Sequence, residues 1–220
     1  MATDPVVVAI DGPAGAGKST IGKALARRLG LTYLDTGAMF RAVAWLARHH
    51  GIDPRSATEI AELARSMELI QTEESVVVDG HDVTADIRTI DIGELTSIVA
   101  THADVRAQLR SRQREWAERN GGGVIEGRDI GTVVFPDAVL KVYLDASPRV
   151  RAERRVAQTG GSVDEVEAAI AERDARDRGR SDAPLRHGPD AVLVDTSDRS
   201  IDDVVTEIER LVKERLSWRK

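Results

Sequence analysis

Short apolar runs alternate with stretches of helical periodicity along most of this chain. Runs of strand length occur at residues 6–10, 32–34, 123–125, 140–144 and 191–194, and the segments between them place apolar residues at helical spacing. Strands that alternate with helices in this way are typical of a parallel β-sheet covered by helices on both faces. The pattern therefore predicts an α/β fold of the doubly wound class, built on five core strands.

Two local features modify this pattern. Residues 76–83 read Val-Val-Val-Asp-Gly-His-Asp-Val, so two β-prone stretches flank the pair Asp79-Gly80. Asp-Gly favours the tight turn of a β-hairpin because both central residues can adopt positive φ angles. We expect a small β insert here, between the second and third core strands. At the other end of the chain, the last helical pattern runs into Trp218-Arg219-Lys220, which we expect to fray.

A glycine-rich loop follows the first predicted strand directly. The residues are Gly12-Pro13-Ala14-Gly15-Ala16-Gly17-Lys18-Ser19-Thr20, which contain the pattern G-x-x-x-x-G-K-S, and a helical pattern follows over residues 21–29. Glycines let backbone N–H groups approach phosphate oxygens, the lysine supplies positive charge, and the helix N-terminus adds a partial charge of its own. Strand, loop and helix together predict a nucleoside triphosphate site at these nine residues, with the Ser19 hydroxyl on Mg²⁺.

Composition narrows the classes of function that such a fold can serve. Aromatic residues make up only 3% of the chain, so the core must consist of Val, Ile, Leu and Ala, which suits a buried parallel sheet. A net charge of −6 argues against broad nucleic-acid binding. The absence of cysteine excludes disulfides and thiolate metal sites, and the five histidines lack metal-ligand spacing. Without a signal-like segment or an apolar run of about 18 residues, we expect a cytoplasmic protein with no nucleic-acid or membrane partner.

A second cluster of polar residues, Asp35-Thr36-Gly37-Ala38 with Arg41, follows the second predicted strand. Ligands of open α/β sheets bind beyond the carboxyl ends of the strands, so this loop should border the same crevice as the glycine-rich loop. Arg41 would then bind a second, anionic substrate. In the alternative interpretation, Thr36 only caps the following helix and Arg41 is solvated.

A third cluster, Glu126-Gly127-Arg128-Asp129, follows the third predicted strand. A carboxylate at this position can hold Mg²⁺ through water, and the neighbouring arginine can reach a phosphate. The alternative is an ordinary turn, in which Gly127 adopts a positive φ and Arg128 pairs with a neighbouring acid.

A fourth cluster contains four arginines in eight residues, Arg173-Asp174-Ala175-Arg176-Asp177-Arg178-Gly179-Arg180. Such a run is usually a solvated helix face with surface ion pairs. In a protein with a phosphate-binding loop it can instead form a mobile lid, which neutralises the charge of a transferred phosphoryl group and excludes water. The glycine-containing segment 158–161 and the segment 180–184 are the expected hinges.

Together, these clusters resemble the bacterial cytidylate kinases. The resemblance extends from Val7 to about Val194, and its most specific part is the run Gly127-Arg128-Asp129-Ile130-Gly131-Thr132-Val133-Val134-Phe135-Pro136-Asp137-Ala138. It implies the P-loop NTPase fold of the nucleoside monophosphate kinases: a five-stranded parallel sheet flanked by helices, a hairpin-containing nucleotide-binding insert and a short arginine-rich lid. One kinase domain would then comprise a core of about residues 1–36, 102–157 and 186–220, an insert of about 37–101 and a lid of about 158–185.

The resemblance also implies a reaction, in which the γ-phosphoryl group of Mg·ATP is transferred to CMP or dCMP. The residues that match the family's catalytic positions are Lys18, Arg128, Arg173 and Arg180. Those that match its substrate-binding positions are Thr36, Arg41, Ser97, Arg106, Arg128, Asp129, Arg173, Asp177 and Arg180. Ser19 and Glu126 would hold Mg²⁺, the latter directly or through water. Glu126 stands where the family commonly has Asp, and Thr36 where it commonly has Ser. We expect a monomer.

Ser97, Arg106 and Asp129 resemble the family's pyrimidine-reading residues, and the chemistry of the base agrees. A carboxylate accepts a hydrogen bond from the cytosine 4-amino group, while donors satisfy O2 and N3. Uracil would present its O4 to Asp129, which places two acceptors face to face. We therefore expect discrimination against UMP.

Three other functions remain open from the sequence. The first is a kinase for another small acceptor, such as UMP. The second is a nucleotide-hydrolysing switch protein, although switches of the GTPase type usually carry an N/T-K-x-D motif that this chain lacks. The third is a nucleic-acid-binding module that uses the arginine run, which the acidic charge balance disfavours.

Overall fold

The computed structural model describes residues 5–217, so the expected fraying of Trp218, Arg219 and Lys220 lies outside the described part of the chain. The strands within it are β1 Val6–Asp11, β2 Tyr33–Asp35, β3 Leu69–Gln71, β4 Val76–Val78, β5 His81–Asp82, β6 Gly122–Glu126, β7 Leu140–Asp145 and β8 Val192–Asp195. The α-helices are α1 Lys18–Leu29, α2 Thr36–His49, α3 Ala57–Ser66, α4 Ile90–Val99, α5 Ala103–Asn120, α6 Pro148–Thr159, α7 Val163–Arg178 and α8 Ile201–Ser217. A 3₁₀ helix spans Asp86–Arg88 and a π-helical turn spans Ile130–Val134.

The main sheet has five strands in the order β2-β6-β1-β7-β8. Strand β1 pairs in parallel with β6, where Val8 lies opposite Val124, and with β7, where Ile10 lies opposite Val142. Strand β8 continues the parallel register on the far side of β7. The predicted five-stranded parallel sheet is confirmed, because continuous apolar runs such as β1 are buried on both faces between helices.

A second, antiparallel sheet contains the predicted hairpin. Strands β4 and β5 pair with Val78 opposite His81, and the turn between them consists of Asp79 with φ 48° and Gly80 with φ 79°. Two positive φ values in succession are those of the turn that Asp-Gly favours. Strand β3 extends this sheet beyond β4 and was not predicted, because its residues are only partly buried or exposed and form no continuous apolar run.

The chain divides into two compact units, and the division falls within β2. The first unit comprises the chain up to Tyr33 and the chain from Ala117 onward, and the second is Leu34–Trp116. Each unit has its own apolar core, with Leu25 and Leu144 central in the first and Leu46 and Ile60 central in the second. The division into core, insert and lid stays a prediction. Among the helices of residues 5–217, none combines the length and the apolarity needed to cross a bilayer.

Candidate active site

The phosphate-binding loop turns from the end of β1 into the start of α1. Gly12 has φ 150°, and a Cβ at this position would lie 2.1 Å from the Leu144 carbonyl oxygen of β7. Gly17 has φ 88° and occupies the N-cap of α1, which begins at Lys18. Side chains at these two positions would collide or strain the backbone. The glycines therefore bring the N-terminus of a helix to the carboxyl end of the central strand, where anions bind.

Lys18 lies inside this loop. Its Nζ donates a hydrogen bond to the Pro13 carbonyl oxygen over 2.7 Å. Burial, and after it the nearby Arg128, lower the pKa of Lys18 to about 7, whereas Glu126 acts in the opposite direction. A phosphate group bound at this loop would favour the charged form of Lys18.

The two predicted metal-binding residues, Ser19 and Glu126, are in direct contact. The Ser19 hydroxyl donates to Oε1 of Glu126 over 2.6 Å, although 107 residues separate them. Glu126 ends β6, the strand beside β1, so its buried carboxylate reaches the start of α1. The hydroxyl of Tyr33, which was not predicted, donates to the same Oε1 over 2.7 Å.

These donors fit Mg²⁺. Magnesium prefers hydroxyl and carboxylate oxygens and usually keeps several waters, so it needs only one or two protein ligands beside the phosphates of its nucleotide. Across residues 5–217, no three side chains of His, Cys, Asp or Glu converge as an all-protein metal cage would require. Ser19 and Glu126 therefore have the donor chemistry that Mg²⁺ prefers.

Arg128 meets the arginine-rich helix at Asp177. Its Nε donates to Oδ2 of Asp177 over 3.0 Å, and Nη2 of Arg180 donates to Oδ1 of the same carboxylate over 2.6 Å. Burial opposes ionisation of Asp177, but Arg128 and Arg180 outweigh it and hold its pKa below the usual value. The turn interpretation of the third cluster is wrong, since Gly127 is not among the positive-φ glycines of the described chain and the acid lies 49 residues away.

The remaining arginines of the run divide between the interior and the surface. Arg178 is exposed, and Arg176 lies 3.6 Å from Glu172 at the surface of α7. The Nε atoms of Arg173 and Arg176 are both buried, and neither has a hydrogen-bond partner among the described residues. Burial lowers the pKa of Arg173 to about 10, with Arg128 as the next cause. The solvated-face interpretation therefore holds for only part of the run, and Arg173 carries a buried donor available to an anion.

Two residues that sequence analysis missed hold the phosphate-binding loop from behind. Nη1 of Arg151, on α6, donates to the Ala14 carbonyl oxygen over 3.0 Å and to Asp174. Asp174, on α7, accepts the Ala14 N–H over 3.2 Å. Arg151 and Asp174 are both almost fully buried. No local signal could identify them, because each lies well over a hundred residues from Ala14.

A further residue that sequence analysis missed, Asp11, anchors the segment that follows Asp129. Its two carboxylate oxygens accept the backbone N–H groups of Ile130 and Gly131, each over 2.8 Å. Burial raises the pKa of Asp11 to about 6, although the two N–H donors oppose this shift. Because Asp11 ends β1, it ties the segment carrying Arg128 and Asp129 to the central strand.

In the second unit, Asp35 rather than Thr36 caps helix α2. An Asp35 carboxylate oxygen accepts the Ala38 N–H over 3.0 Å, and the other accepts Nη2 of Arg88 over 2.8 Å. Thr36 is instead the buried first residue of α2. Arg41 is half-buried, and its Nη1 donates to the Ile87 carbonyl oxygen over 2.9 Å. The alternative of a Thr36 cap with a solvated Arg41 is therefore wrong.

Helix α4 brings the other predicted residues of this unit together. Ser97 lies on α4, and its hydroxyl is buried without a hydrogen-bond partner among residues 5–217. Nη1 of Arg106 donates to the carbonyl oxygen of Ala100, which caps the C-terminus of α4, over 2.6 Å. A Cβ on Gly93 of the same helix would lie 3.6 Å from Nη1 of Arg41. Predicted substrate-binding residues thus surround α4 within the second unit.

The chain was compared with known proteins. A protein-family model for cytidylate kinase matches residues 8–214. A cytidylate kinase from Geobacter sulfurreducens is 47% identical over 219 residues, which cover 96% of this chain and 94% of that protein. A cytidylate kinase from Streptomyces avermitilis is 44% identical over 216 residues with the same coverage.

Solved structures agree on the fold. A gluconokinase from Sinorhizobium meliloti 1021 superposes with a TM-score of 0.55, covers 98% of both chains and is 16% identical. At that identity the likeness shows only the kinase-type α/β fold, whereas the family model and the relatives that are more than 40% identical extend over nearly the whole chain. This chain belongs to the cytidylate kinase family.

Proposed function

We propose that this protein transfers the γ-phosphoryl group of ATP to CMP or dCMP, which yields ADP and CDP or dCDP, with Mg²⁺ accompanying the ATP. The observation that carries the proposal is the family match over residues 8–214, combined with a phosphate-binding loop in which every required residue is present. A cytoplasmic location, a monomeric state and the absence of nucleic-acid and membrane partners remain predictions from the sequence.

In this proposal ATP binds at residues 12–20. The backbone N–H groups of the loop and the N-terminus of α1 hold its phosphates, and Lys18 places positive charge on the β- and γ-phosphates. Ser19 and Glu126 hold Mg²⁺, which neutralises phosphate charge when bound. Support comes from the 2.6 Å contact between these two side chains and from the burial of Lys18.

The proposed acceptor site uses the residues that match the family's substrate-binding positions. Arg41 and Arg128 bind the monophosphate, with Thr36 beside it, and Ser97, Arg106 and Asp129 read the cytosine. The buried Ser97 hydroxyl supports this assignment, since such a group is costly unless a ligand or water completes its hydrogen bonding. Asp177 contacts the sugar. Its carboxylate must then bind the ligand as well as Arg128 and Arg180.

Catalysis in this proposal needs no general base. A monophosphate oxygen is already ionised at neutral pH, so no side chain has to remove a proton before attack. Positioning and charge neutralisation lower the barrier instead. Lys18, Arg128, Arg173 and Arg180 supply the positive charge, and the buried, partnerless Nε of Arg173 is a donor suited to that role.

The test is ADP release from Mg·ATP with CMP, dCMP, UMP, AMP, GMP or no acceptor, measured on the wild type, Lys18→Ala and Asp129→Ala. We expect strong turnover with CMP and dCMP and weak turnover with UMP. Lys18→Ala should abolish turnover with an unchanged circular dichroism spectrum. Asp129→Ala should lose most of the preference for CMP over UMP. Asp137→Ala is the matched control, because this exposed aspartate lies only eight residues further along the chain.

Each other pattern of results rejects part of the proposal. ADP release that ignores the acceptor would indicate a nucleotide-hydrolysing protein, and preferred turnover of UMP would indicate a different acceptor. Full activity in Lys18→Ala would exclude residues 12–20 as the ATP-binding loop. An Asp129→Ala variant with the acceptor preference of Asp137→Ala would exclude Asp129 as the base-reading residue.

A further inference from the structure

The contact between Tyr33 and Glu126 has no assigned role in the proposed phosphoryl transfer. Tyr33 is the first residue of β2, its side chain is buried, and its hydroxyl donates to Oε1 of Glu126 over 2.7 Å. The Ser19 hydroxyl donates to the same oxygen over 2.6 Å. Two hydroxyls from different elements therefore converge on one carboxylate oxygen at the proposed metal site.

A glutamate needs such restraint more than most metal-binding side chains. Three side-chain torsions must be fixed before its carboxylate points in one direction, and each carries an entropic cost. Ser19 restrains the carboxylate through a single hydrogen bond, so a second donor from another element adds an independent restraint. Tyrosine is suited to the task, since its hydroxyl sits at the end of a rigid ring with few torsions.

The ring of Tyr33 is itself held in place. It lies against Gly22 of α1 so closely that a Cβ on Gly22 would be 2.9 Å from Cε2 of the tyrosine. Nζ of Lys23, the next residue, is 5.7 Å from the ring centroid. The absence of a side chain at Gly22 thus creates the space in which Tyr33 reaches Glu126.

We propose that Tyr33 is a positioning residue, which holds the Glu126 carboxylate in the orientation that receives Mg²⁺. The inference rests on the proposed function, since it takes Ser19 and Glu126 to be the metal-binding pair. Tyr33 touches neither nucleotide nor metal and acts only through Glu126. Gly22 contributes to the same positioning, because a larger residue there would displace the tyrosine ring.

The test compares Tyr33→Phe with Tyr143→Phe, since these are the chain's two tyrosines. Tyr143 is also buried in the first unit, but its ring packs against His187 instead. Binding of Mn²⁺ to the protein–ADP complex is measured by electron paramagnetic resonance, without turnover. Loss of one hydrogen bond to a charged group should weaken Mn²⁺ binding about three- to tenfold in Tyr33→Phe. The Mg²⁺ concentration for half-maximal activity should rise by a similar factor, with Tyr143→Phe unchanged in both measurements.

Three further variants make the outcome decisive: Gly22→Ala, Glu126→Gln, and Glu126→Gln combined with Tyr33→Phe. Gly22→Ala should weaken Mn²⁺ binding in the same direction as Tyr33→Phe, and adding Tyr33→Phe to Glu126→Gln should have no further effect. If Glu126→Gln weakens Mn²⁺ binding but Tyr33→Phe does not, the role of Tyr33 is rejected and the proposed function stands. If Glu126→Gln also binds Mn²⁺ normally, the metal assignment in the proposed function fails. Additive losses in the double variant would show that Tyr33 acts on general stability rather than through Glu126.

Discussion

Asp174 accepts a hydrogen bond from the backbone N–H of Ala14, a residue 160 positions earlier in the chain. Arg151, which pairs with Asp174, binds the carbonyl oxygen of the same residue. One buried ion pair therefore holds both backbone groups of a residue inside the phosphate-binding loop. Since the loop binds phosphate through its backbone, its conformation depends on this pair as well as on its glycines.

Replacing Asp174 with Ala should both destabilise the protein and weaken ATP binding. Breaking a buried pair leaves Arg151 charged and without its partner, which costs about 3 to 5 kcal/mol. Urea denaturation should show this loss, and the KM for ATP should rise more than the KM for CMP. Asp190→Ala is the control, because Asp190 is exposed in its pair with Lys141 and should cost under about 1 kcal/mol. Equal losses in both variants would contradict the assigned role.

Asp177→Asn should release Arg128 and Arg180 from their shared carboxylate. The pKa of Asp177 lies below its usual value of 3.8, so its stabilising contribution is present above pH 3.8 and is lost as the pH falls further. We therefore expect a stability difference between wild type and variant that is constant near neutral pH and shrinks below pH 3.8. Denaturation from pH 3 to 7 tests this, and a difference that grows toward acid would refute it.

Asp11 should produce the opposite dependence on pH. Its pKa is about 6 in the folded protein against 3.8 unfolded, so between these values the folded state binds more protons and loses stability as the pH rises. A shift of this size corresponds to roughly 3 kcal/mol. The free energy of unfolding of Asp11→Asn relative to wild type should therefore increase by about that amount between pH 4 and pH 7.

The matched control for Asp11 is Asp195→Asn. Asp195 also ends a core strand and accepts a backbone N–H, that of Ser197 over 2.8 Å, but it is exposed and its pKa lies below the usual value. The relative stability of this control variant should not increase between pH 4 and pH 7. Parallel stability curves for wild type and Asp11→Asn would show that Asp11 titrates like an ordinary aspartate.

Asp35→Ala should destabilise the second unit by about 2 kcal/mol, the upper end of the range for a lost N-cap, because the Arg88 contact is lost as well. Ser56→Ala provides the comparison, since Ser56 occupies the N-cap of α3 without making a capping hydrogen bond. That variant should change stability by no more than about 0.5 kcal/mol. Urea denaturation followed by circular dichroism measures both, and equal effects would contradict the role of Asp35 as the cap.

The sequence alone determined the features whose physical cause is local. The glycine-rich loop was predicted because its nine residues are contiguous. Its glycines permit the backbone conformation of the loop, and its lysine supplies the positive charge. The Asp79-Gly80 turn was predicted for the same reason, and the core strands were predicted from short apolar runs, of which β1 and β6 are buried along almost their whole length. Strand β3 was missed because its residues are only partly buried or exposed and it ends in Gln71, so no continuous apolar run marks it.

Only the tertiary structure decided which buried polar groups meet. Four buried polar residues reach partners that lie 93 to 160 residues away or on a neighbouring helix: Asp11, Tyr33, Arg151 and Asp174. The local sequence does not indicate which groups they meet, even where it marks the surrounding segment. A buried carboxylate is tolerated only where donors from other elements surround it, so its partners depend on how strands and helices pack. Local spacing therefore predicts the loop that binds phosphate, while packing selects the residues that hold that loop and its metal-binding carboxylate in place.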